Sequence, residues 1–308
     1  MSDKRIVLLG EAMLELSHPE GVSANLSYGG DMLNTSIYLA RFGLHPHFVT
    51  ALGSDPYSDG ILKEFERECV QTSHVLRDPG RLPGIYAIQT DHMGERSFYY
   101  WRTVSAARNF FNLPGSEASI DFSQGADLLV VSGITLSIFN EAERKKLGEI
   151  AKAVRDKGGE VMFDPNYRPA KWNSHQAART AKEEFAQYAT TVLTTIDDDN
   201  LLYSQMPGKD HAARWFGFGV DTVVLKCGAK GAMIYQPEKD GQRAAPTLCE
   251  RPVDTTGAGD SFNAGFIAAK CKGMSNEEAA LAGNQLASHV IRYSGAIMPA
   301  ANMPEIFN

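Results

Sequence analysis

Val253-Asp254-Thr255-Thr256-Gly257-Ala258-Gly259-Asp260-Ser261-Phe262 is the stretch on which the reading of this 308-residue chain turns. Two glycines around Ala258 permit a sterically open turn, and the apolar spacing of Phe262, Phe266 and Ile267 predicts a helix from Ser261 to Lys270. The first amides of a helix have no intrahelical acceptor, and with the positive end of the helix dipole they attract an anion. A carboxylate at Asp260 beside such an anion hole can take the proton from an attacking hydroxyl. Open amides with an adjacent base suit phosphoryl transfer. A bare Gly-x-Gly-Asp tetrapeptide serves equally as an ordinary helix start with an acidic first turn, so the specificity lies in the longer string.

Working outward, apolar strand-like runs alternate with amphipathic helical stretches. Ile6 to Gly10, Leu128 to Gly133, Glu160 to Asp164 and Thr222 to Lys226 read as buried strands, with Asn140 to Lys157 and Asn276 to Tyr293 as surface helices. This pattern predicts an α/β fold, a mostly parallel sheet covered by helices on both faces, with ligands beyond the carboxyl ends of its strands. One section breaks the alternation: Gly84 to Thr90 and Arg96 to Arg102 are β-rich segments around Asp91-His92-Met93-Gly94-Glu95, the pattern of an antiparallel hairpin. With the polar, irregular segment from Glu15 to Tyr28 it would form a small sheet, a lid over segments 12–28 and 84–103 of a single domain spanning 1–308. A lid of that kind excludes water from a transfer reaction.

A hydrophobic content of 43% supports a sizeable core. The net charge of −7 and the absence of a basic cluster argue against nucleic acid as a partner. No apolar run approaches the roughly 20 residues needed to cross a bilayer, and Met1 to Arg5 lead into a strand-like segment rather than a signal sequence, so a cytoplasmic protein without a membrane partner is expected. Cys69, Cys227, Cys249 and Cys271 have no short pair spacing, which predicts reduced thiols, and His45-Pro46-His47 reads as a surface turn.

Three further clusters carry polar chemistry. Gly29-Gly30-Asp31-Met32-Leu33-Asn34 precedes a helical run from Thr35 to Phe42 and could hold sugar hydroxyls at a helix start, although capping explains it as well. Asp164-Pro165-Asn166-Tyr167-Arg168-Pro169 follows a buried strand, where Arg168 is a natural anion clamp unless it pairs with Asp164. Lys226-Cys227-Gly228-Ala229-Lys230-Gly231 ends another strand in a glycine-rich turn.

Asp254 to Phe262 resembles the C-terminal signature of the ribokinase-like (PfkB) family of sugar and nucleoside kinases, and Gly29 to Asn34 its N-terminal Gly-Gly-x-x-x-Asn motif. The resemblance runs from the first strand to the final helix and implies the family's three-layer α/β/α domain with a small β-sheet lid. It implies that Gly257, Ala258 and Gly259 form the anion hole and that Asp260 is the catalytic base, while Gly30, Asp31, Met32, Leu33 and Asn34 contact substrate. ATP and Mg²⁺ would be the cofactors, with Asn166 near the phosphates and Lys226, Gly228, Gly231 and Asn284 along the nucleotide. Many members carry Asn-x-x-Glu to organise the hydrated magnesium; here Thr195 and Asp198 stand at those positions, a departure that keeps oxygen donors. Three successive Asp residues also simply complement a helix dipole. Asp254 and Thr256 would supply oxygens to a monovalent cation such as K⁺, and the family's lid edge often packs on a second copy, which implies a homo-oligomer.

The lid bears on the acceptor. Tyr86, Tyr100, Trp101 and Arg102 bring hydroxyls, aromatic surface and a cation together, and with Arg168 they suit a carboxylate better than a neutral sugar needs. Arg81 to Tyr86, Gly94 to Arg102, Ser132-Gly133-Ile134 and Phe163 to Arg168 together look like the family's sugar-acid kinases. A neutral-sugar kinase shares the nucleotide half, and a non-catalytic sugar-acid sensor is disfavoured by Asp260. A dinucleotide-dependent dehydrogenase is weaker still, because Gly10-Glu11-Ala12-Met13 after the first strand lacks Gly-x-Gly-x-x-Gly.

Overall fold

The computed structural model describes residues 4–20, 23–90 and 96–307. Its main sheet has nine strands: β1 (Ile6–Leu9), β4 (Pro46–Gly53), β5 (Val75–Asp78), β8 (Leu128–Ser132), β9 (Glu160–Asp164), β10 (Thr191–Thr195), β11 (Thr222–Lys226), β12 (Ala232–Tyr235) and β13 (Gln242–Ala244). The order is β13-β12-β11-β10-β9-β8-β1-β4-β5, parallel from β11 to β5 with β12 and β13 antiparallel at one edge. A separate four-stranded sheet has the order β3-β2-β6-β7, formed by β2 (Met13–Glu20), β3 (Ser23–Gly29), β6 (Gly84–Thr90) and β7 (Arg96–Trp101). The helices are α1 (Asp31–Arg41), α2 (Pro56–Arg67), α3 (Ser116–Gln124), α4 (Gly133–Ile138), α5 (Glu141–Asp156), α6 (His175–Ala186), α7 (Ile196–Tyr203), α8 (Gly208–Phe216), α9 (Ala258–Cys271) and α10 (Asn276–Val290).

The apolar runs become strands because both of their faces are covered. Along β1, Ile6 and Leu8 point into one hydrophobic core while Val7 and Leu9 point into the other, and β8 and β9 divide their side chains in the same way. Helix starts follow local chemistry. Asn140 with Glu143 and Ser275 with Glu278 make reciprocal capping boxes at α5 and α10, each cap worth about 1 kcal/mol. Helices α9 and α10 cross closely at Gly265, where a Cβ would stand 2.8 Å from the Ala282 carbonyl oxygen and 2.9 Å from the Gly283 Cα.

Three expectations shift. Helix α1 begins at Asp31 rather than Thr35, because Gly30 adopts φ 149° and turns the chain directly into the helix. Helix α9 begins at Ala258 rather than Ser261, with left-handed Gly257 at its N-cap. The polar segment from Glu15 to Tyr28, expected to join the small sheet as an irregular stretch, does so as two paired antiparallel strands, β2 and β3, with a register shift between Ser17 and Glu20. The hairpin turn at 91–95 and the first three residues lie outside the described residues.

The small sheet attaches to the main one around Glu11, which is buried just after β1. Its carboxylate ion-pairs with Arg102 at the end of β7 and accepts a hydrogen bond from Ser105. Gly84, at the start of β6, is so close that a Cβ there would lie 2.9 Å from Glu11 Oε1.

Candidate active site

The carboxyl ends of β9, β10 and β11 meet the starts of α1, α7 and α9 around a cavity of about 580 Å³. Its floor is the turn before α9. Gly257 holds φ 72°, a conformation that favours glycine, and a Cβ there would stand 2.8 Å from that of Ala296. No side chain caps α9; the Ala258 amide turns back to the Thr255 carbonyl at 3.2 Å, and the Gly257 and Gly259 amides remain available to an anion. Below them sits Lys226, buried at the end of β11, whose Nζ would lie 3.8 Å from a Cβ on Gly259.

That ammonium is held in place from two sides. Lys226 Nζ donates to Asp164 Oδ2 and to Asn263 Oδ1, both at 3.0 Å, and Asn263 Nδ2 donates to the same Asp164 oxygen at 2.6 Å. Removing one member would leave a buried charge or polar group without its partner, a loss of roughly 3–5 kcal/mol for an ion pair. Asp164 therefore does not pair with Arg168. Its second oxygen accepts the Asn166 amide at 2.9 Å, fixing Asn166 at φ 33°, from where its Nδ2 donates to Asp31 Oδ2 at 3.0 Å.

Asp260 faces the cavity from the first turn of α9. Its Oδ2 accepts a hydrogen bond from Asn34 Nδ2 at 2.8 Å, and its backbone carbonyl accepts one from Thr35 Oγ1 at 3.2 Å, which ties α1 to α9. Burial, then the nearby Asp31 carboxyl, push the Asp260 pKa up to about 7, and the Asn34 bond opposes them. Burial likewise raises Asp31, against hydrogen bonds from Ser132 and the Met32 amide. A carboxyl poised near neutrality is suited to exchange a proton with a bound hydroxyl.

On the far wall, Arg168 Nη1 donates to Asp198 Oδ1 at 3.0 Å, and Thr195 Oγ1 accepts the Asp198 amide at 3.0 Å as the N-cap of α7. Among the described residues no three His, Cys, Asp or Glu side chains gather as metal ligands. A single carboxylate such as Asp198 fits Mg²⁺, which keeps several waters and takes its remaining oxygens from phosphates. Asp254, on the approach to α9, accepts the Thr256 amide at 2.7 Å and the Gly295 amide at 2.8 Å, binding this loop to the one after α10.

The small sheet closes the other side with Met13, Tyr86, Phe98 and Tyr100. Tyr86 donates to Glu15, and its ring lies 5.9 Å from that of Tyr100, its cross-strand partner. Of the residues singled out in the sequence, Gly30, Asp31, Asn34, Tyr86, Tyr100, Asn166, Arg168, Thr195, Asp198, Lys226, Asp254 and Thr256 line this cavity, together with the run from Gly257 to Asp260. Met32 and Leu33 point into the core instead, because successive helix positions face different ways. Arg102 and Trp101 line a neighbouring cavity. Gly228 and Gly231 form the tight turn after β11, and Asn284 donates to the carbonyls of Ala244 and Ala245, all outside the lining. The sequence reading passed over Asn263 and Glu15; both lie among ordinary-looking helix and strand residues and gain meaning only from partners 99 and 71 positions away.

The pfkB family carbohydrate kinase model matches residues 3–303. The chain is 38% identical to the 2-dehydro-3-deoxygluconokinase of Dickeya dadantii, covering 99% of this chain and 100% of the relative, and 40% identical to that of Escherichia coli K12, covering 98% and 99%. A fructokinase of Vibrio alginolyticus is 27% identical over 86% of this chain and 83% of its own. In three dimensions it is similar to a PfkB protein from Polaromonas, with a TM-score of 0.83, 25% identity and coverage of 94% and 96%. With the open turn before α9, its adjacent carboxyl and a family match over nearly the whole length, the chain belongs to the pfkB family of carbohydrate kinases.

Proposed function

We propose that this kinase transfers a phosphoryl group from ATP to the primary (C6) hydroxyl of 2-keto-3-deoxy-D-gluconate, giving 2-keto-3-deoxy-6-phosphogluconate. The observation that carries the reaction is Asp260, held by Asn34 beside the uncapped start of α9 and raised to about 7. The names of the relatives at 38% and 40% identity support the substrate.

Asp260 accepts the proton of the attacking hydroxyl, and the amides of Gly257 and Gly259 stabilise charge on the migrating group. Lys226 adds positive potential beneath that turn while Asp164 and Asn263 keep it from swinging away. ATP would supply the phosphoryl group, and Asp198 would help hold a hydrated Mg²⁺ that would screen the phosphate charge. Asn166 stands at the phosphate side, and the turn of Gly228 and Gly231 with Asn284 would border the rest of the nucleotide. Gly30, Asp31, Asn34, Tyr86, Tyr100 and Arg168 surround the sugar. Arg102 acts from behind this wall. We further assign the small sheet as the lid of a single kinase domain, a monovalent cation to the loop of Asp254 and Thr256, a cytoplasmic location, and self-association along the lid.

A second reading, a kinase for a neutral sugar, is favoured by one observation: both cations meant for the carboxylate are already paired, Arg102 with Glu11 and Arg168 with Asp198. Coupled ADP-release kinetics across 2-keto-3-deoxygluconate, its galactonate epimer, gluconate, fructose and ribose decide between them. The proposal expects kcat/KM for a keto-deoxy acid to exceed that for fructose by about tenfold or more, a little over 1 kcal/mol of discrimination. Equal turnover of fructose would select the neutral-sugar reading, and no ADP from any of the acids would return the fold to a sensor.

A further inference from the structure

One rung of the small sheet crosses all of its strands. Ser27 on β3 pairs with Glu15 on β2, Glu15 with Tyr86 on β6, and Tyr86 with Tyr100 on β7. Residues directly opposite across strands share a face, so these side chains form a single row along the sheet. Its tyrosines line the cavity before α9, whereas Glu15 and Ser27 stand outside that cavity's described lining.

The hydrogen bonds in the row converge on Glu15, which is buried. Ser27 Oγ donates to Glu15 Oε1 at 3.1 Å and the Tyr86 hydroxyl donates to Glu15 Oε2, so each carboxylate oxygen is taken by a donor. Burial, then the Glu15 charge, raise the Tyr86 pKa well above the ordinary tyrosine range, and the phenol keeps its proton. A phenol has only one hydrogen to give. With that hydrogen spent on Glu15, the Tyr86 oxygen offers the cavity lone pairs alone. Gly29, at the end of β3, leaves the space for this pairing: a Cβ there would overlap the Tyr86 hydroxyl oxygen and stand 3.4 Å from Glu15 Oε2. An apolar pair would fill the same rung without burying a carboxylate, so the arrangement points to what the phenol oxygen presents to a ligand.

We propose that Glu15 is a positioning residue that makes Tyr86 a hydrogen-bond acceptor for the substrate, so that the place facing Tyr86 takes a hydroxyl group and rejects a carbonyl or carboxylate oxygen. The inference rests on the reading of this cavity as the sugar site. It orients a sugar acid with a hydroxyl toward Tyr86 and its carboxylate away from it, because two acceptors set face to face leave both unpaired.

The test measures acceptor Kd by calorimetry beside KM and kcat, using whichever acceptor of the panel above binds most tightly, so a failed substrate assignment changes only the probe. Tyr86→Phe and Glu15→Gln are each expected to raise Kd and KM about five- to tenfold with kcat within about threefold. Combined, they should cost no more than the larger single effect, because Glu15 acts only through the phenol. A Glu15→Gln protein with the parent's Kd, or one whose Kd rises by the same factor with and without Tyr86→Phe, would overturn the proposal. Analogues of the acceptor carrying fluorine in place of one hydroxyl at a time cover the case in which Glu15→Gln melts early, since fluorine has no hydrogen to donate. One analogue should bind the parent about tenfold more weakly than the acceptor itself, and Tyr86→Phe only about twofold more weakly. Equal losses in the two proteins for every analogue would count against an accepting Tyr86 in the same way.

Discussion

Helices α7 and α9 both start at the carboxyl edge of the main sheet, both carry aspartate in the first turn, and both hold a carboxyl with a raised pKa. Their surroundings differ. Thr195 caps α7, and within it Asp199 accepts Thr194 Oγ1 at 2.8 Å and Trp215 Nε1 at 3.0 Å, with burial raising it to about 6. Glycine stands at the N-cap of α9, no side chain covers its amides, and Asp260 has one side-chain bond, from Asn34, with its remaining edge toward a cavity. A raised carboxyl pKa therefore does not by itself mark a catalytic base. What separates the two is whether hydrogen bonding around the carboxyl is complete, since a satisfied group is tied to structure and an unsatisfied one is left for a ligand.

The contrast is broken most directly by exchanging each carboxyl for its amide. Asp260→Asn should reduce kcat by about 10²–10⁴-fold with little change in melting temperature, whereas Asp199→Asn should leave kcat within a few-fold; the reverse ranking would overturn the assignment of the base. Next in size, Gly257→Ala forces a Cβ into left-handed backbone and against Ala296, distorting the proposed anion hole, and should cost about 10²-fold in kcat measured at saturating nucleotide. Truncation at the other helix acts on stability. Asp199→Ala leaves the Trp215 and Thr194 donors buried without acceptors and should destabilise the fold by about 2–3 kcal/mol in urea, a shift absent from Asp260→Asn.

The smallest effect is on pH. As the proposed base, Asp260 would work deprotonated, and its pKa is raised to about 7, so kcat should climb as pH rises through 7 and level above it. Asp31→Asn removes a like charge that raises Asp260 and should move that inflection to lower pH, while Asn34→Ala removes a bond that lowers it and should move the inflection higher. Shifts in the same direction for both variants would show that some other group is being titrated.

Much of this contrast was legible in the amino-acid order, because helix starts are local. Gly257 to Asp260 announce an uncapped turn with a carboxyl, and Ile6 to Leu9 or Leu128 to Ser132 can be little else than buried strands. Three Asp residues in a row, however, look alike until Asp198 is seen on Arg168 and Asp199 on Trp215. The same limit applies to Lys226, whose tie to Asp164 and Asn263 joins three distant segments, and to Arg102, read as a free cation on a lid but spent on Glu11. Propensity and spacing report on neighbours in the chain; a side chain's partner across the fold is set by how the sheet brings strands together.

Glu11 also dictates how the small sheet can move. Chain segments running between the two sheets come together at this residue: the link from β1 to β2, the entry to β6 beside Gly84, and the exit from β7 through Arg102 and Ser105. Pinned there, the sheet would pivot about a point instead of sliding. Displacement along β7 then grows with distance from Arg102, and at about 3.4 Å per residue Phe98 sits roughly twice as far from the fulcrum as Tyr100. The aromatic wall would part as a wedge, widest at Phe98 and narrowest near Arg102.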